Sequence, residues 1–139
     1  MSKKILFLML LAMSSATFAQ SSVGELTQQG GKKLSKEELQ QLHAGGVTYK
    51  GALQSGGTFS EQHKTDGSVS GNAQTARGSS GLVGTWNIND EGRLCTVVTV
   101  LASGNKLDSC RFVWKQGDKY FSSDGDAPGT TLLSRQFEK

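Results

Sequence analysis

The stretch from Leu82 to Phe121 constrains this chain more than any other feature. Of its 40 residues, 17 are large apolar groups or cysteine, yet turn residues break them up at Asp90-Glu91-Gly92, Ser103-Gly104-Asn105 and Gln116-Gly117-Asp118. Thr85 to Asn89 alternates, with Trp86 and Ile88 on one face. Leu94 to Leu101 is β-branched and apolar on both faces, as a central strand would be. Cys110, Phe112 and Trp114 share a face opposite Arg111 and Lys115. A period of two over short runs is the signature of strands. Upstream, Lys64-Thr65-Asp66-Gly67 has tight-turn chemistry and predicts a hairpin of 58–63 with 68–75. A last strand is expected in 130–137, after the sole proline, Pro128, in its loop. Seven or eight short strands with frequent turns predict a mostly β domain, a small antiparallel β-barrel or sandwich.

One short helix is expected before the strands. Ser35-Lys36-Glu37-Glu38 is a capping box, in which the Ser35 hydroxyl accepts from the Glu38 amide and the Glu38 carboxylate reaches back. Leu34 and Leu39 flank it as a hydrophobic staple, and Gly45-Gly46 supply a left-handed stop. The helix therefore runs over about 36–44. Residues 20–33 are polar, with only Val23 and Leu26 as sizeable apolar groups, and read as a flexible leader. A single domain is expected over 34–139.

Residues 1–19 read as a removable export signal. Lys3 and Lys4 precede the apolar run Ile5 to Met13, and the small residues Thr17 and Ala19 precede a cut before Gln20. The run is too short to span a membrane, which takes about 20 residues. The processed chain would be periplasmic or secreted, with 18 glycines in 120 residues and 13 basic against 12 acidic side chains. So small and nearly neutral a chain excludes several domains and offers no charge-based case for nucleic-acid binding.

Export also bears on the two cysteines. In an oxidising compartment, Cys95 and Cys110 most simply pair as a structural disulfide, since a redox pair favours C-x-x-C and a metal site needs further ligands. If 94–101 and 107–114 are hairpin neighbours, direct opposition requires facing residue numbers that sum to 205. Two-residue turns at Ser103-Gly104 or Gly104-Asn105 give 207 or 209, so direct opposition needs a bulge, the preferred reading, or else a strand order in which the two are not simple neighbours.

No nucleophile elbow, Walker loop, dinucleotide fingerprint or zinc-protease motif is present in the sequence. His63 with Asp66 as its orienter would make a catalytic base; the simpler reading leaves both histidines, His43 and His63, facing solvent. A pair such as Asp90 and Asp124 would serve glycoside hydrolysis only if it converged across a cleft. Asp124-Gly125-Asp126 lacks the fuller ligand series of a calcium loop. Neither a metal nor a cofactor is expected. If a cavity exists, Trp86, Trp114, Tyr120 and Tyr49 are the candidate ligand contacts; in a solid interior they fill the core.

Taken in order, the helix Leu34-Ser35-Lys36-Glu37-Glu38-Leu39, then Gly84-Thr85-Trp86 and Gly92-Arg93-Leu94-Cys95 form a series. It continues through Cys110-Arg111-Phe112-Val113-Trp114-Lys115 into Gly117-Asp118-Lys119-Tyr120. The series resembles a domain-of-unknown-function family of small exported Gram-negative proteins over about residues 34 to 121. That resemblance implies a signal sequence, paired cysteines and a compact mostly β domain, and brings no activity. Gly84-Thr85-Trp86 also looks like the opening G-x-W of lipocalins and avidins. Only 53 residues follow Trp86, so a barrel has to use strands upstream of Gly84. Periplasmic protease and lysozyme inhibitors are a third likeness, by architecture alone. The expected function is a non-catalytic exported β-domain that binds a small ligand or an envelope protein. The alternatives are an inhibitor of a protease or lysozyme, and a small hydrolase using His63 or converging carboxylates.

Overall fold

The computed structural model describes residues 21–139, so the export signal expected at 1–19 lies outside them. Among these residues the elements run α1 (Val23–Gln28), β1 (Lys32–Lys33), α2 (Lys36–His43), β2 (Val47–Ala52), β3 (Thr58–His63), β4 (Ser68–Thr75), β5 (Gly78–Ile88), β6 (Leu94–Val100), β7 (Lys106–Gln116), β8 (Lys119–Ser123) and β9 (Leu133–Glu138). From β2 onward each strand pairs antiparallel with the next, and β9 pairs back onto β2. The result is a closed eight-stranded barrel, with β1 continuing the wall along β7. Closure leaves the eight barrel strands no unpaired edge strand, so no second sheet is needed.

Alternation along the strands sorts the interior from the exterior. Tyr49, Phe59, Val69, Leu82, Val98 and Val113 belong to one buried cluster inside the barrel. The Gly84-Thr85-Trp86 motif falls on β5, the fourth barrel strand, so three strands do precede it. Gly84 is needed there for space. A Cβ at that position would strike the Val97 carbonyl of β6. α2 closes one end of the barrel. Its capping box forms as expected, with Ser35 Oγ accepting from the Glu38 amide and Glu38 accepting from the Ser35 amide. Leu34 and Leu39 on either side of the cap are both buried in the inner cluster.

The segment expected as a flexible leader is ordered instead. Val23 and Leu26, three apart on α1, are buried against Phe112, Trp114 and Phe121 on the outer face of β7 and β8, and against Leu132 just before β9. Backbone bonds from Val23 to Thr130, Gly24 to Pro128 and Leu132 to Ser21 tie the segment down. Two apolar side chains suffice because the barrel supplies the rest of this second core.

Cys95 and Cys110 are disulfide partners, directly opposite across β6 and β7, with Cα atoms 4.0 Å apart. The expected bulge is absent. The register sums to 205 from Leu94↔Arg111 to Thr99↔Lys106, and the connection is a four-residue loop, 101–104. Val100 and Asn105 close that loop, with the Val100 amide donating to the Asn105 carbonyl. Counting alternately from there, Cys95 and Cys110 occupy a non-hydrogen-bonded pair, where facing side chains come closest.

Two stability measurements follow from this arrangement. Leu26→Ala should destabilise the domain by about 2–5 kcal/mol, as a fully buried leucine does elsewhere; denaturant midpoints will show it, and an unchanged midpoint would make α1 an ornament. Cys110→Ser, or reduction, should lower the melting temperature by roughly 10 °C, from a loop-closure contribution of about 3 kcal/mol.

Candidate ligand cavity

The end of the barrel opposite α2 is hollow. A cavity of about 770 Å³ is lined by the inward faces of β2 to β7 and by Arg135 of β9. Phe59, Leu82, Val98 and Val100 supply apolar wall, while the exposed Arg77, Lys106 and Asp108 lie at strand ends around the mouth. β8 stops at Ser123, opposite Phe112, so among the described residues no strand pairs with residues 106–111 of β7 on that side of the barrel. Five of these β7 residues, Lys106, Leu107, Asp108, Ser109 and Arg111, line the cavity.

Arg135 is the main polar feature of the wall. It is 7% exposed, and among the described residues no carboxylate lies within salt-bridge distance of it. Its Nε donates to the Tyr49 hydroxyl oxygen at 3.0 Å, and Nη1 donates to the carbonyls of Ala52 and Ser134 at 3.1 and 3.0 Å. The guanidinium also lies over Phe59, 5.1 Å from the ring centre. Residue 51 faces Arg135 across the β2–β9 seam, and it is glycine. A Cβ there would come within 2.5 Å of Nη1 and 2.8 Å of Cδ, so the missing side chain is the space the guanidinium occupies. Burial raises the Tyr49 phenol above its ordinary range, outweighing the opposing pull of Arg135, so the hydroxyl keeps its proton.

Beneath the cavity a chain of buried side chains runs toward α2. Glu61 Oε2 lies 3.0 Å from His63 Nε2, His63 Nδ1 lies 3.1 Å from His43 Nε2, and His43 Nδ1 lies 2.9 Å from the Leu39 carbonyl oxygen. The two histidines are 2% and 1% exposed, contrary to a solvent-facing placement. Elimination assigns the protons. A carbonyl only accepts, so His43 Nδ1 carries hydrogen and, with a neutral ring, His43 Nε2 accepts from His63 Nδ1. That leaves His63 Nε2 facing the Glu61 carboxylate. Burial, with smaller contributions from His63 and Lys139, lowers the His43 pKa from 6.5 to about 4, against the helix carbonyl that raises it. Trp86 stacks on His43 with ring centres 4.6 Å apart and donates through Nε1 to the Lys64 carbonyl.

The sequence-derived candidates therefore scatter. Tyr49 lines the cavity. Trp86 packs on the histidines at the opposite end of the barrel, and Tyr120 packs edge-on against Phe137. Trp114 lies on the outer face under α1, with Nε1 donating to Ser123 Oγ. Asp66 does not orient His63; its carboxylate accepts from the Ser68 amide and hydroxyl in the turn. Asp90 pairs with Lys36, Asp124 with Arg111 and Asp126 with Lys33. No group of three metal-binding side chains forms among the described residues. Arg135 and Glu61 were the residues that sequence reasoning passed over. The alternation of Phe59, Glu61 and His63, and of Leu133, Arg135 and Phe137, already put each on an inward face.

The neutral His43 gives stability a pH dependence with a definite sign. Unfolded, His43 takes a proton near 6.5; folded, only near 4. Stability should therefore fall as pH drops through that window, because the unfolded chain binds the proton first. Melting curves should show the loss, and His43→Phe should flatten it; an equal slope in the variant would place the titration elsewhere.

A family model described as "Protein of unknown function (DUF995)" matches residues 7–119, and the chain belongs to that family. No curated protein and no solved structure matches it.

Proposed function

We propose that this DUF995 protein is an exported, non-catalytic barrel that holds a small, largely apolar molecule in its interior. The cavity carries this reading. Its volume of about 770 Å³ falls in the range of roughly 300–1,000 Å³ typical of small-molecule sites. Its lining has the usual composition of such sites too, mostly apolar wall with a few fixed polar groups. An eight-stranded barrel is wide enough inside to hold one small ligand. Tyr49 and Phe59 are aromatic contacts within it, and export through residues 1–19 would place the protein in the periplasm or outside the cell.

The hydrolase alternative gains no support from His63, because Glu61 and His43 occupy both its ring nitrogens.

A neutral, environment-sensitive dye such as Nile red tests the reading. The processed protein should bind it with a blue-shifted emission. Ala73→Phe, which projects a ring into the cavity from β4, should abolish binding while leaving the far-ultraviolet spectrum unchanged. Equal binding by the folded variant would place the dye elsewhere and overturn the proposal.

A further inference from the structure

We propose that the cavity's ligand is a monocarboxylate with an apolar body, its carboxylate seated on the free edge of Arg135. This rests on the cavity-binding reading and adds the chemical class of what is bound.

A guanidinium has five N–H donors. In Arg135 one goes to Tyr49 and two, both on Nη1, go to the carbonyls of Ala52 and Ser134. The two on Nη2 find no acceptor among the described residues. They belong to a side chain that is 7% exposed and borders the cavity. A buried charge without a counter-ion is costly, and a charged group that completes it gains correspondingly. One unit of charge and two free donors suit a singly charged acceptor; a phosphate dianion would need more of both.

The rest of the cavity agrees. Phe59, Leu82, Val98 and Val100 give an apolar body a wall to pack on, beside the hydroxyls of Thr96 and Ser109. Glu61 is the inner-wall carboxylate that would repel an incoming anion, but its Oε2 is engaged by His63 Nε2 at 3.0 Å. Of the other charged groups lining the cavity, Arg77 and Lys106 favour an anion. Arg111 is paired with Asp124, and Asp108 alone opposes. Gly51 marks the site as built around the guanidinium, since any side chain there would push it aside.

Displacement of bound Nile red by dodecanoate, dodecan-1-ol and dodecylammonium tests the class of ligand. Dodecanoate should bind the wild-type protein about tenfold or more tightly than the alcohol, as a hydrogen-bonded charge pair implies, with the ammonium weakest. Arg135→Gln should bring acid and alcohol to parity while dye binding persists. Gly51→Ala, which displaces the guanidinium without removing its bonds to the fold wholesale, should reduce the preference as well. It decides the matter if Arg135→Gln does not fold. Parity of acid and alcohol in the wild type, with the dye still displaced, would overturn the carboxylate assignment and leave cavity binding standing. A wild-type preference undiminished in folded Gly51→Ala or Arg135→Gln would also overturn it. Failure of the wild type to bind the dye or any of the three chains would remove both readings together.

Discussion

The pairing of β9 with both β2 and β8 is the interaction on which this structure depends. It converts a run of hairpins into a closed wall, and a closed wall is what gives the chain an inside. The same seam sets Arg135 opposite Gly51, so that barrel closure and the placement of the buried guanidinium are one event. The two ends of the enclosed space then differ. α2 plugs one end with Leu39 and His43. At the other, β8 ends too early to cover residues 106–111 of β7, and the interior remains hollow.

Burying polar groups in so small a barrel is costly unless each finds a partner. Two polar assemblies stand inside, and they differ in completeness. Glu61, His63, His43 and the Leu39 carbonyl satisfy one another in a line, with Trp86 stacked over the imidazoles. That assembly needs nothing from outside and behaves as a polar part of the core. Arg135 has three of its five donors satisfied and no counter-charge among the described residues. The first assembly explains how α2 is held to the barrel; the second is where the structure departs from self-sufficiency, beside the cavity. The contrast between the two supports a binding role over a purely structural one.

Local chemistry was legible in the sequence, and tertiary consequences were not. The capping box located α2, and the Lys64–Gly67 turn located the β3–β4 hairpin, because each depends on residues within a few positions. The length remaining after Trp86 was enough to require barrel strands before Gly84. The leader was misread because the apolar surface that orders Val23 and Leu26 is assembled from β7 and β8 far along the chain. The disulfide register was misread because Ser103-Gly104-Asn105 suits more than one loop length, and a four-residue loop supplies the pairing a two-residue turn cannot. His43 lies one helical turn after Leu39 and so shares its buried face, but an imidazole at a helix end satisfies the dipole equally well in solvent. Trp114 was assigned to the same candidate set as Tyr49 because sequence alone does not say which face of a strand lies inside a closed barrel.

Native mass spectrometry of the protein purified from the cells that make it, without detergent or added ligand, bears most directly on whether this interior is a container. The predicted result is a population heavier than the bare oxidised chain, whose added mass departs on denaturation and is recovered as an organic acid. A single species at the bare mass of that chain, taken under conditions that preserve known complexes of similar affinity, would contradict it.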